Sequence, residues 1–264
     1  MDPSSLDLNH SNLMLARTID EVIAQLDAII KRAREEGSRL GYFATLYRNV
    51  TLKVKEGIAN GMFEDGARME RLDVIFANRY LTALESFQRG EKPSHCWQVA
   101  FETSSSWSPI ILQHLLAGMN AHINFDLGIA AQAVAPAEQL ESLRHDFDQI
   151  NNVLGGMIAK VRADVEEVSP WIKFLDRWDP KGQSRFISFS LDKARSSSWL
   201  TATIVNITPA DHLPRKLRIL DDGVAILGSL IARPKDLLFK LALRAIRLRE
   251  SNDVRHVIDV LSQV

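Results

Sequence analysis

The sequence predicts an all-α protein: a single domain of about eight to ten helices, packed orthogonally or as a bundle. Three observations carry this. Apolar residues recur at helical spacing along most of the chain, as in Ile19, Val22, Ile23, Leu26, Ile29 and Ile30. Capping residues stand before such runs, and Gly or Pro stands behind them. No two alternating runs are joined by a hairpin-type turn.

Residues 1–17 read as a flexible N-terminal arm and 18–264 as the helical domain, with one candidate sub-boundary at 209–214, between Pro209 and Pro214. Thr18 caps the first helix, Glu21 stands three residues on as a capping box requires, and Gly37 closes it. A second helix spans about 41–61, with Phe43, Leu46, Tyr47, Val50 and Val54 on one face. A third starts at Asp65, carries Met69, Leu72, Phe76 and Tyr80, and ends before Gly90. Residues 97–101 form a short apolar patch, and 103–107 read as a serine-rich loop. Ser108-Pro109 is a cap with proline at the first helical position, opening a helix over 109–134 that Pro136 stops. The next helix runs from Glu138 toward Val168, with a bend expected at Gly155-Gly156. Ser169-Pro170 repeats the cap, and 181–184 is a turn. Over 186–207 helical spacing outweighs the strand-like alternation of Phe186, Ser188 and Ser190. Helices over 215–232 and 234–263 complete the chain, the last interrupted at Ser251-Asn252.

Bulk properties exclude several classes. The 264 residues carry 32 basic and 33 acidic side chains, a net charge of −1, which gives no global field toward nucleic acid or an anionic membrane. Cys96 is the single cysteine, so neither an internal disulfide nor a multi-thiolate zinc site can form. No basic segment followed by an apolar run marks residues 1–12 as a secretory signal, and no apolar run reaches the length of a membrane span. A cytoplasmic protein is expected, with no membrane and no nucleic-acid partner; the oligomeric state is left open. Walker A, G-x-G-x-x-G, G-x-S-x-G and H-E-x-x-H patterns are absent.

The segment 113–128 carries the most information. It has few charges and is apolar on most sides, so it should be the buried central helix. His122 and Asp126 lie one turn apart on a face shared with Ile111, Leu115, Gly118, Ile129 and Ala133. Gln113, Asn120 and Asn124 occupy the opposite face. Buried polar groups need partners, because an unsatisfied one costs about 1–3 kcal/mol. His122 and Asp126 could bond each other, a carbonyl or a buried arginine as a structural pair. They could instead line a pocket as metal ligands or as an acid-base couple. Gly118, one turn before His122, would allow close helix packing or leave room for a ligand.

Other helices offer partners. Asp73 shares a face with Phe76, Ala77 and Tyr80 and could supply a second carboxylate; Arg71 and Arg79 flank it on the same helix. Arg195 and Trp199 are one turn apart, so Arg195 could clamp an anionic group or neutralise Asp126 or Asp73. His145-Asp146 matches the dipeptide of helical HD metal phosphohydrolases, with His122 upstream and Asp192 or Asp211 to complete a set, but the residues usual after it are absent. Lys240, Arg244 and Arg247 form a basic stripe, expected to be a solvated face rather than a contact with an anionic surface. His95 and Cys96 are neighbours in sequence and so do not face each other on a helix, which speaks against an activated thiol.

The run Leu115-Leu116-Ala117-Gly118-Met119-Asn120-Ala121-His122-Ile123-Asn124-Phe125-Asp126-Leu127 resembles a bacterial family of unknown function, DUF5995. Shorter pieces join it: 72–77, Asp146-Phe147 with Asn151, and Ala194-Arg195 with Trp199. The likeness spans about residues 40–205 and implies no activity. It does suggest one constellation of His122, Asp126, Asp73, Asp146 and Arg195, without His114 or His145.

Two functional classes follow. In the first, a small-molecule pocket uses His122, Asp126 and Arg195 as catalytic groups. His122, Asp126, Asp73 and Asp146 would then be the set for one divalent metal (zinc, iron or manganese), if a metal serves. In the second, the same residues form a buried polar network in a non-enzymatic interaction or scaffold protein.

Overall fold

The computed structural model describes residues 15–174 and 191–263. Helix α1 (Ile19–Glu36) opens on Thr18, whose hydroxyl accepts from the Glu21 amide at 3.2 Å, and ends on Gly37 at φ 66°, a left-handed turn that glycine adopts without strain. The Glu21 carboxylate reaches past Thr18 to the Arg17 amide at 2.7 Å. Next to it, Asn78 exchanges two 2.8 Å hydrogen bonds with the backbone of Ala16. Helices α2 (Leu40–Ala59) and α3 (Gly66–Gln88) follow, the second capped by Asp65.

The serine-rich stretch is helical: α4 spans His95–Ser105 rather than stopping at 101. The reason is local. Thr103, Ser104 and Ser105 return their hydroxyls to the carbonyls of Val99, Ala100 and Phe101 one turn back, so they satisfy themselves without leaving the helix. The central helix starts two residues later than the Ser-Pro signature implies. Ile110 takes the cap position, its amide bonded to the Gln113 side chain at 2.8 Å. The rod is α5 (Ile111–Ala121), a π-helical segment (His122–Leu127) and α6 (Gly128–Val134).

Two 3-10 turns, Ala137–Gln139 and Glu141–Leu143, lead into α7 (Arg144–Val168), a single α-helix across the glycine pair. Beyond the 3-10 turn Ile172–Phe174 come α8 (Leu191–Ile207), α9 (Leu213–Ala232), α10 (Leu237–Arg247) and α11 (Val254–Leu261). The expected turn at 181–184, residues 186–190 and residues 1–14 of the expected arm lie outside the described residues. Among the described residues there is no strand, and no helix is long and apolar enough to cross a membrane.

The central rod is enclosed by α2, α3, α4, α8 and α9, as its composition requires. Because α9 packs on both α4 and α5, the prolines at 209 and 214 mark a turn within one helical domain. The polar face of the rod is answered there. Gln113 donates to the carbonyls of Ile231 and Ala232, and Asn120 donates to that of Val224 while accepting from Asn124. Two glycines permit the close packing. A Cβ on Gly118 would sit 2.6 Å from the Phe43 ring, and one on Gly128 would collide with the Ser198 carbonyl of α8. Gly118 therefore serves close packing, and it seats Phe43 beside His122.

Candidate functional site

His122 and Asp126 are both in the π-helical segment and both buried. Such insertions in α-helices concentrate at functional sites. The Asp126 carboxylate is held from two neighbouring helices. Arg79 of α3 donates its Nε to Oδ1 at 2.7 Å, and Trp97 of α4 donates its indole Nε1 to Oδ2 at 2.7 Å. The arginine that sequence reasoning offered to Asp126 was Arg195; the structure supplies Arg79, whose guanidinium also lies 5.6 Å from the Phe125 ring.

His122 sits behind this carboxylate in an aromatic shell. Phe76 stacks on its ring at 3.5 Å, Tyr47 meets it edge-on at 4.3 Å, and Phe43, Trp97 and Tyr80 lie at 5.6, 6.0 and 6.3 Å. Its Nδ1 is 3.8 Å from Asp126 Oδ2, beyond hydrogen-bonding distance, and neither ring nitrogen has a hydrogen-bond partner. Burial lowers the imidazole pKa and outweighs the opposing pull of Asp126, so the ring is neutral at pH 7.

Asp73 approaches the same shell from α3. Its Oδ2 and the Tyr47 hydroxyl are buried without hydrogen-bond partners. Burial first, then Asp73 and Asp126, push the Tyr47 phenol well above its usual range. Asp73 itself is raised from 3.8 to about 7, by burial and then by Glu70. Tyr47 thus meets the His122 ring directly and feels the charges of Asp73 and Asp126.

Asp146 and Arg195, which the sequence grouped with these residues, lie elsewhere. Asp146 accepts from the amides of Glu64 and Asp65 at 2.7 and 3.0 Å and from Arg68 at 3.2 Å, so it pins the start of α3. Arg195 donates to the Phe147 carbonyl and lies 4.3 Å over the Phe147 ring, and Trp199 packs edge-on against the same ring. The four-residue metal set is therefore not assembled. Among the described residues no group of three His, Cys, Asp or Glu side chains is placed to hold a metal ion. The HD arrangement fails on the same geometry, with His145 exposed and the Asp146 carboxylate committed to the α3 cap. Cys96 is buried and its thiol is pushed far up, by burial and then by Asp221, which leaves it unreactive.

On its outer side Asp126 contributes to the floor of a cleft of about 330 Å³ between α3 and α4. Arg79 and Trp97 line it with Asp126, and Asn78, Thr82, Ser86 and Ser94 surround them. Sequence reasoning passed over Trp97 and gave Arg79 no role at the site. Both left a signal: a buried indole needs an acceptor, and an arginine on an apolar helix needs an anion.

These features define a class: an all-helical domain whose central helix presents a buried histidine and an arginine-bound aspartate, the latter lining a cleft between two helices. The chain belongs to the family of unknown function DUF5995, whose model matches residues 19–234. The match reaches from α1 to the end of α9, further in both directions than the resemblance read from the sequence. No curated protein and no solved structure matches the chain.

Proposed function

We propose that the protein binds a small polar or anionic molecule in the α3–α4 cleft, and that Asp126, backed by His122, handles a proton on it. The carrying observation is the double position of Asp126. It lines a cleft large enough for a small metabolite, and it stands 3.8 Å from a buried imidazole with both nitrogens unpartnered. A neutral imidazole in that place can accept a proton from the carboxylate once the two close from 3.8 Å to hydrogen-bonding distance. The lining supports the ligand class: beside the apolar surface of Ala83, Pro93 and Trp97 it carries one guanidinium, three hydroxyls, an amide and a carboxylate, which suit a small compound with hydroxyl or acidic groups. Of the two chemistries the sequence suggested, acid-base work fits this donor set better than metal binding, which would need more converging ligands. A cytoplasmic setting is compatible with the single buried cysteine.

A thermal-shift screen of sugar phosphates and small organic acids tests this, with Arg79→Met as control. A compound that raises the melting temperature of the wild type should bind the variant about tenfold more weakly or worse, because a charge-assisted hydrogen bond is lost. If no compound binds and Asp126→Asn costs several kcal/mol, the cluster is a structural network instead.

A further inference from the structure

The structure shows a second surface that the site does not use. In α10, Phe239, Ala242, Leu243 and Ile246 face the core. The side turned away from them carries leucines as well as cations. Leu237, Leu238, Leu241 and, in the following turn, Leu248 are 67, 74, 54 and 65% exposed. Four leucines this open on one short element form a patch that a solvated helix face does not need. Five exposed cations are interleaved with them or flank them: Arg233, Lys235, Lys240, Arg244 and Arg249. Asp236 is the single acidic residue between 233 and 249, and its carboxylate is occupied in capping the Phe239 amide at 2.7 Å.

Two half-exposed tryptophans continue the patch at the C-terminal end of α10. Trp107 lies 4.7 Å beneath the Arg247 guanidinium, and Trp171 lies 5.1 Å from that of Arg249. Arg247 itself is buried, with its Nε on the Trp107 carbonyl, so it braces the surface instead of belonging to the basic stripe that the sequence suggested. The α10 helix also lies just beyond the residues that the family model matches.

From this we infer that the α10 face docks on an anionic phospholipid surface. The leucines and the two tryptophans would enter the headgroup–acyl boundary while the lysine and arginine heads stay among the lipid phosphates. Tryptophan, leucine and five exposed cations on one face, against the single carboxylate of Asp236 that caps Phe239, match that boundary in polarity and in charge. A protein partner or a second copy would cover the leucines but gives no reason for five cations. The expectation of no membrane partner rested on overall charge and on the lack of a spanning run; surface docking needs neither a net positive chain nor a span.

Flotation of the full chain with vesicles tests the inference. Vesicles of phosphatidylcholine with about 30% phosphatidylglycerol should carry the protein, and pure phosphatidylcholine should not. About 0.5 M NaCl should release it. Leu238→Ser/Leu241→Ser and Lys240→Glu/Arg244→Glu should each weaken binding about tenfold or more. Both change exposed side chains, and unchanged melting curves confirm the fold. Failure to float with anionic vesicles would overturn the inference, and so would flotation of both variants to the same extent as the wild type. A dimer that the leucine variant dissociates, without lipid binding by the wild type, would give the face to a second copy and overturn it as well.

Discussion

Replacing His122 by phenylalanine should leave the protein as stable as the wild type, or more stable, while abolishing whatever proton chemistry the site performs. The wild-type ring is enclosed by five aromatic side chains, and neither of its nitrogens is hydrogen-bonded. Each orphaned buried polar atom costs about 1–3 kcal/mol, and an apolar ring of similar shape removes that cost. Phenylalanine is slightly larger, and overpacking takes back about 1 kcal/mol or more. The two orphaned nitrogens together cost about 2–6 kcal/mol and overpacking offsets about 1–3 of it, so the net change is a gain of up to a few kcal/mol, read as a rise of roughly 2–4 °C in melting temperature per kcal/mol for a chain of this length. Differential scanning calorimetry reads it directly. His122→Ala is the poorer probe, because it would open a cavity inside the aromatic shell and destabilise the protein in either account. A loss of more than about 2 kcal/mol in His122→Phe would show that the imidazole holds the fold together through bonds that the geometry does not contain.

Three further outcomes are expected. Asp73 has a folded pKa of about 7 against an ordinary 3.8, so the folded state holds its proton more tightly; stability is gained as pH falls from 7 toward 4 and lost as pH rises through 7. Asp73→Asn should therefore be the more stable form at pH 8, by at most about 4 kcal/mol, with the advantage gone near pH 4, as urea melts at the two pH values will show. His114 runs the other way: burial, then Arg39 and Arg247, lower it to about 3 from 6.5, so stability is lost as pH falls through that window, and His114→Gln should flatten the acid limb of the profile. Gly128→Ala should cost about 1–3 kcal/mol in chemical denaturation, because the Ser198 carbonyl cannot move aside as a flexible side chain would.

Much of the fold was legible because its signals are local. Thr18, Asp65 and Gly37 mark helix ends through bonds to residues no more than four positions away, and the chain obeys them. Local signals misled where side chains satisfied themselves in an unexpected way: three hydroxyls that suggested a loop return to their own helix in α4. The site was legible in part. His122 and Asp126 stood out because polar residues on a buried helix are costly, and Asp73 because it shares a face with Tyr80. That Asp126 needs a cation is legible; which one answers it is not. Arg79 and Arg195 are equally plausible from composition, and the choice depends on which helix packs against the π-segment. Asp146 is a site candidate in the sequence through its His-Asp dipeptide and the family resemblance, yet three donors at the start of α3 account for its carboxylate.

In the proposed function Asp126, gripped by Arg79 and Trp97, forms the floor of the ligand site. The Trp97 indole N–H donates to that carboxylate, so its resonance in a two-dimensional nitrogen–proton spectrum reports the site from inside. The spectrum should be recorded while small acids and sugar phosphates are titrated into the wild type and Arg79→Met. The account predicts that a compound shifts the Trp97 signal in the wild type with saturation, and that the variant keeps its dispersed spectrum but loses the response. A Trp97 signal that no compound moves, in a protein that Asp126→Asn unfolds, would contradict it.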